Sequence, residues 1–149
     1  MSRVLGVDLG SRRIGLAVSD PSGMLASPLQ VLDRGTDRAS DHAAIVKIAR
    51  ELDVDRLVVG WPRSLSGREG PAARAVRDEV AELEAAAGPA MVVTLQDERF
   101  STVTATRRLG ESRPTTRAKR RRAATGVDAA AAAVFLQSYL DGVRAEEGR

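Results

Sequence analysis

Three acidic residues stand at the boundaries of regular segments far apart in the chain: Asp8 in "VLGVDLGSRRIGLAVSD", Glu98 in "TLQDERFST" and Asp128 in "TGVDAAAAA". Carboxylates drawn from element ends can meet at one edge of a sheet while packed backbones hold them still. Two or three of them at close range repel strongly, and a divalent cation is the ordinary way to stabilise such a cluster. In phosphoryl chemistry that ion activates a water and neutralises the leaving oxygen. The chain has no cysteine and one histidine, so a metal would be held by oxygen ligands, which favours Mg2+ or Mn2+ over Zn2+. His42, in "TDRASDHAAIVKIAREL", reads as a surface residue at an exposed helix start.

Each acid also has a purely structural reading. Asp8 can cap the turn at Gly10-Ser11, Glu98 can pair with Arg99 or cap a helix, and Asp128 suits a first helical turn because the dipole favours an acid there. Asp8 is the most telling, because a lone acid among the valines and leucines of a mid-sheet strand needs a partner or an ion.

The elements that must position these acids follow from pattern. "RVLGVDLG" and "RIGLAVSD" are short runs rich in Val, Leu and Ile joined by a Gly-Ser-Arg-Arg turn, which predicts a hairpin, and "MLASPLQVLDR" predicts a third strand after the turn "DPSG". Helical spacing of Ala44, Ile45, Ile48, Ala49 and Leu52 predicts an amphipathic helix over 41–52. "VDRLVVG" reads as a buried parallel strand, and the loop "RSLSGREG" follows it. Pro71 and Gly88-Pro89 bracket a second helix over 71–87, and "AMVVTLQ" predicts a fifth strand. Ser101 or Thr102 can cap a third helix through about Leu109. A last helix, "VDAAAAAVFLQSYLDGV", begins at Asp128 and sends Val134, Leu136 and Leu140 to the core. The order predicts an α/β domain spanning residues 1–149, a mixed five-stranded sheet flanked by helices.

Charge adds a second clue. Residues 107–122 hold eight basic side chains against the single acid Glu111, while the rest of the chain has fifteen basic and nineteen acidic residues. A basic block on a slightly acidic background suits a polyanionic partner, although a solvated surface run has the same composition. Without an apolar run of membrane-spanning length, and without the apolar core of a signal peptide in "MSRVLG", the expectation is a soluble, cytoplasmic protein with no membrane partner.

Four stretches, "GVDLGSRRIGLAVSD", "LVVGWPRSLSGREG", "QDERFSTVTA" and "GVDAAAAAVFLQSYLD", occur in the order and spacing of the YqgF/RuvX family, and the chain resembles that family over nearly its whole length. The family is described both as Holliday junction resolvases and as pre-16S rRNA nucleases. The resemblance implies a ribonuclease H-like fold in which acids of the first strand, a later strand end and the last helix bind divalent metal. Position by position, Asp8 matches the D-x-G acid, Glu98 the acid of D-E-R-x-[ST], and Asp128 the acid of V-D-x-x-A-A. These three become the expected catalytic and metal residues, with Asp97 the nearest rival to Glu98. Two departures stand out: "GWPRSLSG" where the family usually has G-L-P-L-N-x-D-G, and Thr125-Gly126 where a lysine-glycine often precedes the last motif. The broader resolvase superfamily has an acid at the end of the fourth strand, where this chain has Gly60.

The expected activity is a Mg2+- or Mn2+-dependent endonuclease that hydrolyses phosphodiester bonds in structured nucleic acid, at the 5′ end of pre-16S rRNA within a ribosomal precursor particle. Arg99, Arg107, Arg108, Arg117, Lys119, Arg120 and Arg121 are the expected nucleic-acid contacts, and Ser101 and Thr102 would position the "DER" turn. Only four aromatic residues offer a stacking surface, so recognition should rest on shape and phosphate. The alternative is a resolvase of four-way DNA junctions, which needs two active sites in register and hence a homodimer. Two readings from other classes are a non-catalytic RNA-binding protein and an actin-like nucleotide-binding hairpin, the latter needing a second lobe that 149 residues do not hold.

Overall fold

The computed structural model describes residues 3–62, 70–97 and 117–148, with side chains of the last segment described from residue 128 onward. The hairpin forms as its pattern dictates, from β1 (Arg3–Leu9) and β2 (Arg13–Ser19), with Asp8 opposite Gly15 and Leu9 opposite Ile14. β3 (Ala26–Asp33) continues the antiparallel meander, and Pro28 is tolerated in it because β3 lies at the sheet edge. Helix α1 (Arg38–Glu51) starts three residues earlier than its apolar periodicity suggests, because Asp37 caps it by accepting from the Ser40 N–H at 2.7 Å. β4 (Val54–Trp61) lies parallel to β1, α2 (Pro71–Ala87) follows, and β5 (Val92–Asp97) lies parallel to β4. The sheet order is β3-β2-β1-β4-β5, so β1 is the central strand.

The last helix, α3 (Arg117–Glu147), differs from expectation: it is 31 residues long and begins well before Asp128. Asp128 therefore sits about three turns inside it, and the helix dipole does not account for an acid at this position. The helix predicted from Ser101 or Thr102 and the loop "RSLSGREG" lie largely or wholly outside the described residues.

Two apolar layers hold the sheet. On one face, Leu5, Val7, Leu57 and Val59 pack against Ile45 and Ala49 of α1 and Val80 and Leu83 of α2. On the other, Ala17 and Val58 pack against Ala131, Ala132, Phe135, Leu136 and Leu140 of α3. Leu136 and Leu140 thus point inward as expected, Val134 is only partly buried, and the fully buried Phe135 fills the position between. A Cβ on Gly6 would stand 3.0 Å from the Leu136 Cβ, and one on Gly15 would collide with the Asp128 carbonyl oxygen. Bare glycine surface in β1 and β2 against an alanine run is what lets α3 lie this close to the sheet.

Candidate active site

The parallel alignment of β1, β4 and β5 brings their C-terminal ends to one edge of the sheet, where Asp8, Gly60 and Asp97 stand on neighbouring strands. Asp8 is 5 % exposed, an acid at the end of a central strand whose inward neighbours are apolar. Gly15 links it to the last helix, since the residue paired with Asp8 across the hairpin is the one pressed against the Asp128 backbone. Two of the three expected acids, 120 positions apart in sequence, are thereby brought to one end of one sheet face. Arg13 Nε reaches Asp128 Oδ2 at 3.3 Å, with both side chains about a quarter exposed. The hairpin that carries Asp8 also carries the cation that meets Asp128.

Asp97 is the last residue of β5, paired with Trp61. Glu98, Arg99, Arg107 and Arg108 lie outside the described residues, as do the side chains of Arg117, Lys119, Arg120 and Arg121, although the last four belong to α3. Among the described residues no group of three His, Cys, Asp or Glu side chains stands close enough to share a metal ion.

A cavity of about 650 Å3 opens at this sheet edge, between the β1–β2 turn and the start of α1 and α2; Asp8, Gly10, Ser11, Gly60 and Pro62 line one side. Arg34, Asp41 and Glu79 line the other and form an ion network that residue pattern alone did not bring forward. Arg34 donates from Nη1 and Nη2 to the two Glu79 oxygens at 2.6 and 2.9 Å, and Nη1 also reaches Asp41 Oδ2 at 3.3 Å. Its Nε donates to the Gly10 carbonyl at 3.0 Å, and its backbone N–H to the Arg12 carbonyl at 2.9 Å. Asp41 Oδ1 accepts from the Gly35 N–H at 2.8 Å.

His42 corrects the sequence reading: it is 2 % exposed, with Nε2 at 2.8 Å from Glu79 Oε2. The charged carboxylate can only accept, so Nε2 carries the proton of this bond. Burial pushes the Glu79 carboxyl up, but hydrogen bonds from Arg34 and His42 and the Arg34 charge outweigh it and hold the group below the usual glutamate range. The Arg34 guanidinium, bonded to Glu79, is held above its usual value despite partial burial. A signal was present in sequence: Val76, Glu79, Val80 and Leu83 share one helical face, as do His42, Ile45, Val46 and Ala49, so an acid and a histidine occupy core positions of facing helices.

Among the described residues no helix is long and apolar enough to cross a membrane. The backbone is similar to RuvC of Thermus thermophilus in complex with Holliday junction substrate, at a TM-score of 0.57 and 17 % identity over 97 % of this chain and 96 % of that one. This likeness supports the ribonuclease H-like fold that the sheet order already describes. In sequence, the chain is 46 % identical to the "Putative pre-16S rRNA nuclease" of Anaeromyxobacter dehalogenans (strain 2CP-1 / ATCC BAA-258), covering 93 % of this chain and 96 % of the relative. It is 47 % identical to the protein of the same name from Nocardioides sp. (strain ATCC BAA-499 / JS614), over 95 % and 88 % of the two chains. The family model described as RuvX, Holliday junction resolvase, matches residues 2–142, and the chain belongs to this family of nucleases.

Proposed function

We propose that the chain is a divalent-metal-dependent endonuclease that processes the 5′ end of pre-16S rRNA, with Asp8, Glu98 and Asp128 as its catalytic and metal-holding acids. The observation that carries this reading is the juxtaposition at Gly15: the strand residue opposite Asp8 is the one on which the Asp128 turn of α3 rests. The donor set fits a hard cation, because β1 and α3 bring carboxylate-bearing residues, Asp8 and Asp128, to the same sheet edge and the chain has no cysteine. Mg2+ or Mn2+ bound there supplies charge neutralisation at the scissile phosphate and acidifies a water. The chain's own part is to hold the Asp8 and Asp128 carboxylates on two packed elements, so that little reorganisation is needed when the phosphate arrives. Arg13 holds Asp128 in place from the hairpin side. Arg99 contacts the phosphate in this reading, with Asp97 the alternative to Glu98.

The basic block then grips the nucleic-acid backbone. Its last part, from Arg117, lies in α3 ahead of Asp128, about 16 Å of helix axis from it. Passing from Asp128 against Gly15 to Leu136 against Gly6, α3 runs antiparallel to β1, so its basic start extends past the Asp8 end of that strand. A second reading is resolution of four-way DNA junctions, favoured by the description of the matching family, and it requires a homodimer.

Cleavage of a precursor rRNA-end mimic and of a four-way DNA junction, side by side in Mn2+ or Mg2+, tests both. Wild type should cut the RNA in preference, and Asp8→Asn and Asp128→Asn should each reduce cutting to background while keeping the wild-type unfolding midpoint within a few degrees. Full activity in Asp8→Asn would remove the proposed role of this acid, and preferential cutting of the junction would select the second reading.

A further inference from the structure

We propose that Arg34 is a positioning residue for the Asp8 hairpin, resting on the assignment of Asp8 as a metal-holding acid. The turn between β1 and β2 is fixed from within by one backbone bond, Gly10 N–H to the Asp8 carbonyl at 3.1 Å. From outside it is held by Arg34, which meets two of its carbonyls, Gly10 through Nε and Arg12 through the backbone N–H. Arg34 itself is anchored on both helices of the opposite layer, by a two-bond fork to Glu79 of α2 and by Asp41 of α1, and His42 holds Glu79 in turn.

The planar guanidinium thus commits one edge to Glu79 and turns its remaining Nε–H to Gly10, a division of donors that a lysine ammonium cannot reproduce. A buried fork of this kind is geometrically specific even where its net contribution to stability is modest. The hairpin holds Asp8 just before the turn and Arg13, the partner of Asp128, just after it. Movement of the turn therefore shifts both proposed ligand positions together. Outer residues that orient metal-holding side chains typically change metal affinity by about 10- to 100-fold when altered.

The test uses the full chain in wild-type, Asp8→Asn, Arg34→Lys and Glu79→Gln forms, each well below its unfolding midpoint. Hydrogen exchange of the amides at residues 10–14 reads the hairpin, and the electron paramagnetic resonance signal of free Mn2+ reads metal binding. Arg34→Lys and Glu79→Gln should each speed hairpin exchange and weaken Mn2+ binding by about 10-fold or more, with amides of β4 and the second half of α3 unchanged. If Arg34→Lys does not fold, Glu79→Gln carries the result, since it keeps the side-chain shape and releases the charged fork. Unchanged hairpin exchange overturns the proposal. So does faster exchange with wild-type Mn2+ affinity, which would leave Arg34 a structural tie. The Asp8→Asn arm is separate: wild-type Mn2+ binding in that variant overturns the assignment of Asp8 itself, and the metal-positioning role of Arg34 falls with it.

Discussion

Glu79 shows at the scale of one residue how this fold accommodates charge next to its core. Its folded-state carboxyl lies below the ordinary value near 4.5, because bonds from Arg34 and His42 outweigh burial. A depressed carboxylate contributes stability that is present above the unfolded value and is lost as pH falls through the folded one. Urea unfolding of wild type should therefore show a loss of stability starting near pH 4.5 and growing below it, and Glu79→Gln should flatten that part of the profile. At pH 7 the same variant should lose roughly 2–4 kcal/mol, because Arg34 keeps its charge without its fork. A wild-type-like midpoint at pH 7 would show that the network is not held in solution. Asp20 differs: it is only partly buried and is held below the usual aspartate range by the Ser22 hydroxyl and then by the Leu25 and Met24 backbone N–H groups, which fixes the β2–β3 turn and not the core.

Among elements, α3 and its glycine seats offer the most direct variant. Gly15→Ala places a methyl group into the Asp128 turn, so α3 must shift or tilt away from β2. The expected cost is roughly 1–3 kcal/mol, read by denaturant titration, with cleavage reduced further than stability alone explains because the helix carries Asp128. Gln137 holds the same helix at its other side, accepting from the Ala26 N–H at 2.9 Å and donating to the Met24 carbonyl at 2.9 Å. These elements were largely legible beforehand: alternation in the hairpin, apolar runs in β4 and β5, and the Pro71 and Gly88 brackets of α2 all act within a few residues. The start of α3 was not, because residues 117–127 are mostly basic residues, alanine, threonine and glycine, and such a sequence has no apolar stripe from which a helix is read. The Arg34 network was hidden for a different reason: helical periodicity places Glu79 and His42 on buried faces but does not pair them. Its members come from a loop and two helices and are joined by hydrogen bonds across 7 to 45 positions, a distance no local pattern spans.

For the whole molecule, the proposed function divides the work between an acidic edge for chemistry and a basic block for grip. If that grip engages about six phosphates, affinity for the nucleic acid should drop roughly a thousandfold between 50 and 200 mM salt. Changing Arg117, Lys119, Arg120 and Arg121 together to Gln should flatten the logarithmic salt dependence by about 0.9 for each duplex phosphate that is no longer neutralised, measured by fluorescence anisotropy. Unchanged slope would place the phosphate contacts elsewhere. Light scattering with and without a four-way junction adds the symmetry test, since a strict monomer is incompatible with paired junction cleavage. Trp61 supplies a means of watching such events without a label. It is the chain's single tryptophan, its indole N–H is bonded to the Ala73 carbonyl at 3.1 Å, and the Arg77 guanidinium lies 5.0 Å from its ring centroid. Its chain neighbours Gly60 and Pro62 line the cavity, and it pairs with Asp97, the strand residue before Glu98. The emission spectrum and quenching rate of this one chromophore therefore report on the working edge of the sheet, so that arrival of an ion or a strand can be timed optically in the unmodified protein.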